Sequence, residues 1–259
     1  MNVCTVFERV ESKYRMNREQ AARVTEKMQA HVRRDPYFRY SLHNVYYDTD
    51  DSRMIVESME HPDFREKLRL RYYGEPKLDQ PVFLETKRKA GDLTYKRRIA
   101  LPEASAYAYL DAGIRPRLDG QIEQELDAMV QFYHPVAKIY IAYDREAWEG
   151  LEEPDLRITF DTDLRYRTHD LSLSEGPGST PLMDSSEFCL MEIKALDRYP
   201  MWLVRILSEE HLYSSSFSKY GCGYCKCFAT VNPSAHAEQE YQKAPAPMTR
   251  QERRGVLNV

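Results

Sequence analysis

The chain has 259 residues, 42% of them hydrophobic and 30% charged, and a formal net charge of −4. That length holds one large domain or two small ones, with enough apolar residues for a packed core. The acidic balance excludes a generally basic surface that coats nucleic acid. No apolar run approaches the ~20 residues of a membrane span, and the start, MNVCTVFERVESKY, lacks the basic-then-apolar pattern of a secretion signal. A cytoplasmic protein is expected.

In chain order, residues 4–14 read as a strand. NREQAARVTEKMQAHVRRD is helical, with Asn17 and Gln20 spaced as a capping box. SLHNVYYDTD (41–50) is a strand ending in a turn, and SRMIVES a short helix or connection. Strands follow at 66–73, 81–89 and 94–101, the last two joined as a hairpin by the turn AGD. Two helices, PEASAYAYLDAG with Gly113 past its end and QIEQELDAMVQFYH, precede a strand at 136–146. DLRITFDTDLRYR and EFCLMEIKA are strands around the loop SLSEGPGSTP, and YPMWLVRILSEEHL is an amphipathic helix with Pro200 near its first turn. Beyond Phe228 the chain turns polar and rich in Pro and Ala, so 1–228 is expected to be one domain and 229–259 a disordered tail.

FREKLRLRYYG (64–74) raises a question of charge. Lys67, Arg69 and Arg71 alternate with Leu68, Leu70 and Tyr72, so one face of a strand is cationic. For a single strand a solvated face is the ordinary reading. The pattern recurs, however, in Arg9, Glu11 and Lys13; Glu85, Lys87 and Lys89; Lys96 and Arg98; Arg145; Arg157; and Glu192 and Lys194. If these faces turn into a barrel, so many like charges require a polyanion, because unpaired buried charge is very costly. A narrow, flexible chain of phosphates suits such a lumen and a nucleic-acid duplex does not. Arg offers phosphate a planar fork and Lys a point charge, and the interspersed Glu residues could hold a divalent metal. We find no nucleophile–base pair.

The five cysteines include CGYCKC, whose C-x-x-C has metal-ligand spacing. No second pair sits at a useful distance and the nearest histidines are His211 and His236. Small, half-buried thiols in a reducing compartment are therefore expected.

These residues resemble the triphosphate tunnel metalloenzymes, and within that superfamily the VTC (vacuolar transporter chaperone) domain, a polyphosphate polymerase domain. The resemblance rests on RVESK running into Tyr14, then VYYDTD, KLRLRYYG, FLETKRK, YKRR, YDREAW, LRITFDT, MEIK and SFSKYG in order, over about residues 6–221. It implies an α+β fold: a closed, antiparallel eight-stranded β-barrel forming a tunnel, with helices packed outside. It further implies that Lys13, Arg69, Arg71, Lys87, Lys96, Arg145, Arg157 and Lys219 hold a nucleoside triphosphate or growing polyphosphate. Ser218 adds a hydrogen bond, and Lys67, Lys89, Arg98 and Lys194 are weaker correspondences. Of these, Lys13, Arg69, Arg71, Lys87, Arg145, Arg157 and Lys219 would neutralise the reacting phosphates. Glu192 corresponds to the metal-binding glutamate, with Mn2+ or Mg2+ expected. Glu11 and Glu85 are either further metal ligands or partners that hold Lys13 and Lys87.

The expected activity is transfer of the γ-phosphate of ATP onto phosphate or polyphosphate. Its rivals are hydrolysis of tripolyphosphate or a nucleoside triphosphate, and non-catalytic polyphosphate binding. Arg9 stands where relatives carry a first metal-binding Glu. The SPX domain and membrane helices that accompany eukaryotic VTC domains are not read here, so a stand-alone, bacterial-type domain is expected, with a membrane partner left open.

Overall fold

The computed structural model describes residues 9–60, 63–75, 80–91, 93–117, 119–176, 178, 180–183 and 188–228. The expected tail and Cys4 lie outside the described residues. The chain runs β1 (Arg9–Met16), α1 (Arg18–Met28), β2 (Val32–Asp48), α2 (Arg53–Glu60), β3 (Phe64–Tyr73), β4 (Val82–Ala90), β5 (Leu93–Leu101), α3 (Glu103–Ala112), α4 (Gln121–Tyr133), β6 (Val136–Gly150) and β7 (Arg157–Arg167). A short 3-10 turn, β8 (Thr180–Pro181), β9 (Cys189–Leu196), α5 (Met201–Glu209) and α6 (Lys219–Cys227) follow.

Local chemistry accounts for the element ends. The Asn17 side chain accepts from Gln20 N while Gln20 caps Asn17 N in return, so α1 starts as expected. It stops at Met28 rather than running to Asp35, because residues from Val32 join the sheet opposite β6. Gly113, at φ 69°, closes α3 in the left-handed conformation that glycine adopts without strain.

The strands pair antiparallel in the order β1-β9-β7-β6-β2-β3-β4-β5, with β8 on β7. The expectation of a closed barrel is corrected here: β1 and β5 are the ends of the path and do not pair with each other among the described residues. The sheet is an open, curled half-barrel. Exposed Lys96 and Arg98 on β5 give it the charged character of an edge strand, which resists further pairing. Side chains span the seam instead, with Lys87 Nζ of β4 donating to Glu11 Oε1 and Oε2 of β1 at 3.1 and 3.3 Å.

Strand register divides the sheet into two faces. On the convex side Leu68, Leu70, Tyr72, Val82 and Leu84 pack with Tyr109, Leu126 and Met129 beneath α3 and α4. Ile158, Phe160, Met191 and Ile193 pack with Val24, Met28, Leu203 and Ile206 beneath α1 and α5. A second correction concerns the helices: these four lie outside, but α6 lies against the concave face. Its Tyr220 and Cys222 share a core with Tyr46, Ile139, Ile141 and Tyr143. Close approach is possible because Gly223 has no side chain; a Cβ there would stand 2.7 Å from Ile139 Cδ1. Residues 42–48 of β2 are consequently buried on both sides.

Candidate functional site

The concave face gathers the alternating charges into connected clusters. Register aligns Arg69 with Glu85 and Glu85 with Arg98 across β3, β4 and β5. Glu85, 1% exposed, is the centre of the first cluster. Its Oε2 accepts from Arg69 Nη2 at 2.7 Å and lies 3.7 Å from Arg71 Nη1, while Oε1 meets Lys96 Nζ at 2.8 Å. Burial alone would raise this carboxyl; Arg69, Arg71 and Lys96 outweigh it and hold the group at about 2. Arg71 is aimed further by Asn44 Oδ1 at 2.8 Å and Tyr143 OH at 3.2 Å, and Arg69 donates to Tyr46 OH at 3.3 Å.

Asp161, fully buried, is the centre of the second cluster. Arg145 donates to both of its oxygens, at 2.6 and 2.8 Å, and Lys219 Nζ meets Oδ2 at 2.7 Å. Burial opposes ionisation here too, but the two cations keep the carboxyl below its ordinary range, and Asp161 raises Lys219 in turn. Lys219 also lies 4.3 Å from the Tyr143 ring centre. It opens α6, whose Ser218 cap side chain accepts from Gly221 N at 3.1 Å. The positive end of that helix therefore faces the cluster.

The third group lies on β1 and β9, where register pairs Lys13 with Glu192 and Glu11 with Lys194. Lys194 Nζ meets Glu192 Oε1 at 2.5 Å, and Lys13 Nζ donates to Phe217 O at 2.9 Å. Burial and Glu192 would raise Glu11; Lys194, Lys87 and Lys13 more than compensate. Glu192 is likewise held low against its burial, first by Lys194 and then by Lys13. No group of three or more His, Cys, Asp or Glu residues is assembled to cage a metal among the described residues. The donor set of Glu11 and Glu192 nevertheless fits Mg2+ or Mn2+, which bind one or two carboxylates and take further oxygens from substrate phosphates. Glu85 does not fit that role, because three cations already occupy it.

Lys67 bridges the groups, donating to Ser218 Oγ at 2.5 Å. Burial, with repulsion from Lys13, Lys87, Arg65 and Arg69, pushes it down to about 7. Not every expected residue joins. Arg157 shares the face but turns to Asp35, at 2.8 Å. Arg98 lies exposed, over Phe83. Lys89 is half-buried beside Arg65 in register. The side chain of Arg9 lies outside the description. The pairings also differ from expectation, since Glu11 binds Lys87 rather than Lys13, and Glu85 binds Arg69, Arg71 and Lys96 rather than Lys87. Sequence reasoning missed Asp161, Tyr143, Asn44 and Tyr46. For Asp161 the signal was present, since it continues the parity of Arg157 at i+4 on one strand face.

A curled antiparallel sheet whose concave face sets excess base around buried carboxylates forms a cationic trough. A family model describing the VTC domain matches residues 8–228, and the chain belongs to that family. It is 26% identical over 219 residues to vacuolar transporter chaperone complex subunit 4 of Trypanosoma brucei brucei, covering 70% of this chain and 28% of that protein. The Trypanosoma cruzi subunit 4 is 24% identical over 222 residues, covering 71% of this chain and 28% of the relative. The chain thus spans little more than a quarter of these relatives. A candidate adenylate cyclase from Bacillus halodurans shares the fold, with a TM-score of 0.53 at 13% identity over 86% of this chain and all of its own.

Proposed function

We propose that this protein is a metal-dependent phosphotransferase that moves the γ-phosphate of ATP onto phosphate or the end of a polyphosphate chain. The observation that carries the reading is the set of buried carboxylates, Glu85 and Asp161, holding Arg69, Arg71, Lys96, Arg145 and Lys219 in place while leaving cationic charge in excess. Phosphoryl transfer asks chiefly for positioning and for charge stabilisation that needs no reorganisation. Arg69, Arg71 and Arg145 would bind the non-bridging oxygens, and Lys13, Lys87 and Lys219 would neutralise the transferred group. Arg157 would join once an anion draws it from Asp35. Ser218 and Lys67 would fix the terminal phosphate. Glu192, with Glu11, would hold Mn2+ or Mg2+, which when bound supplies charge neutralisation across phosphate oxygens. Phosphate lying across the seam would complete the ring that the backbone leaves open. The reaction is placed in the cytoplasm as part of this proposal, with any membrane passage of product left to a partner.

Incubation with ATP and Mn2+ followed by gel electrophoresis tests the reading. Chains longer than tripolyphosphate are expected. Orthophosphate alone would favour hydrolysis by the same residues, and tight binding without turnover would favour a binding module.

A further inference from the structure

The charged concave face has one aromatic end. Tyr40 of β2, Tyr73 of β3 and Phe83 of β4 share the parity of Arg145, Arg71 and Glu85, so all three belong to the concave side. Their rings form a continuous row, with centroids 6.0 Å apart between Tyr40 and Tyr73 and 5.6 Å apart between Tyr73 and Phe83. All three are half-buried. Tyr46, the next aromatic along the same face, is different: Tyr220 of α6 stacks on it at 4.8 Å and it is 4% exposed. Cations flank the row, with the Arg71 guanidinium 5.7 Å from the Tyr73 ring centre and that of Arg98 5.0 Å from Phe83.

We propose that Tyr40, Tyr73 and Phe83, with the Arg98 guanidinium beside them, form a shelf that receives the base of a nucleoside triphosphate. This rests on the phosphotransferase reading and adds a direction to it. Partly exposed rings beside guanidinium planes are the surfaces on which nucleobases stack, and such stacking tolerates any base because every base has a π-face. The shelf adjoins the phosphate-binding cations rather than standing apart. From Phe83 to Lys87 is about 13 Å along β4, a distance an extended nucleoside triphosphate spans from base to terminal phosphate. A base at Phe83 therefore sends its phosphates past Arg71, Arg69 and Lys96 and brings the γ-phosphate to Lys67, Lys87 and the Glu11–Glu192 pair. The acceptor then approaches from the opposite mouth, at Arg65 and Lys89. Donor and acceptor meet end to end, the arrangement that in-line transfer requires.

Two ligands that differ only in the nucleoside separate the shelf from the phosphate site. Affinities for ATP and for inorganic tripolyphosphate are measured calorimetrically in EDTA for the wild-type chain, Phe83→Ala, Tyr73→Ala and Phe83→Trp. The expected result is a loss of roughly tenfold in ATP affinity for each alanine variant, on the scale of one lost base stack, with tripolyphosphate affinity unchanged. Phe83→Trp should keep or improve ATP binding, which a mere packing defect would not. Unchanged ATP affinity in both alanine variants overturns the shelf, as does equal loss of both ligands. A wild-type chain that binds tripolyphosphate but not ATP overturns the shelf alone. One that binds neither in EDTA, and still binds neither with Mg2+ in place of EDTA, overturns the phosphotransferase reading as well.

Discussion

Glu85 shows how one carboxylate organises a site. Taking it into the protein is unfavourable, yet Arg69, Arg71 and Lys96 hold it ionised at about 2. Its folded value lies below the ordinary 4.3, so the stabilisation is present above the ordinary value and is lost as pH falls toward 2; the effect is about 3 kcal/mol. Glu85→Gln should therefore lower the urea midpoint at neutral pH and make it decline less steeply than the parent's between about pH 4.5 and 2.5, the remaining slope belonging to Asp161, Glu11 and Glu192. A variant as stable as the parent would show that the cluster does not depend on this carboxylate. Lys67 works in the opposite sense. With its ammonium pushed down to about 7, it is mostly neutral in mildly alkaline solution, and a phosphate laid against it restores the proton. Tripolyphosphate affinity should fall as pH rises above about 7, with close to one proton taken up per ligand at about pH 8.5. Titration calorimetry in buffers of different ionisation heat reads that proton directly, and Lys67→Met should abolish it. Uptake that persists in the variant assigns it elsewhere.

At the scale of elements, α6 joins the proposed phosphate site to the rest of the fold. Asp48, fully buried, accepts from the backbone N–H groups of Met54 and Ile55 in α2 and from Tyr220 OH, the last at 2.8 Å. One side chain thus ties two helices together and fixes where Ser218 and Lys219 stand. Tyr220→Phe removes only that hydroxyl and leaves Asp48 with its backbone donors. We expect a loss of about 1 kcal/mol in stability and a several-fold weaker tripolyphosphate affinity, whereas an affinity equal to the parent's would mean that Lys219 is placed by Asp161 alone. Gly223→Val tests the same helix from its other side, where overpacking against Ile139 should cost about 1–3 kcal/mol in thermal or urea unfolding. This is also where sequence reading reached its limit. Alternation along KLRLRYYG and FLETKRK disclosed which residues share a face, because strand parity is local. It did not disclose which carboxylate each cation meets. Residues two apart on a strand are about 6.5–7 Å apart, whereas those directly opposite on a neighbouring strand approach to about 5 Å. Glu85 therefore finds Arg69, directly opposite on β3, before Lys87, while Lys96 reaches it diagonally from the position opposite Lys87 on β5. The α6 stretch KYGCGYCKC escaped for a different reason: two glycines and three cysteines carry little helix propensity, and only its packing on β6 makes it helical.

For the whole molecule, a concentration of positive charge within an acidic chain predicts binding that depends strongly on ionic strength. Tripolyphosphate affinity should drop steeply between about 50 and 300 mM salt, over which the Debye length shrinks from roughly 14 to 6 Å. A flat response would mean that buried hydrogen bonds dominate. The trough is also directional, with metal-fitting carboxylates toward one mouth and the aromatic row toward the other.

On the proposed polyphosphate reading, the seam between β1 and β5, unpaired among the described residues, bears on how a polymer would come and go. A closed ring can be entered only by a free end, so every binding event must find a terminus and every release must unthread one. A ring fastened by the Lys87–Glu11 ion pair can instead take in the middle of a long chain from the side, as phosphate oxygens displace the carboxylate from Lys87. Polyphosphate with both ends blocked by bulky groups should then compete with tripolyphosphate as well as unblocked polymer of the same length. Side entry would make product length a contest between extension and lateral escape, so that the strength of one surface ion pair helps set how long the chains grow.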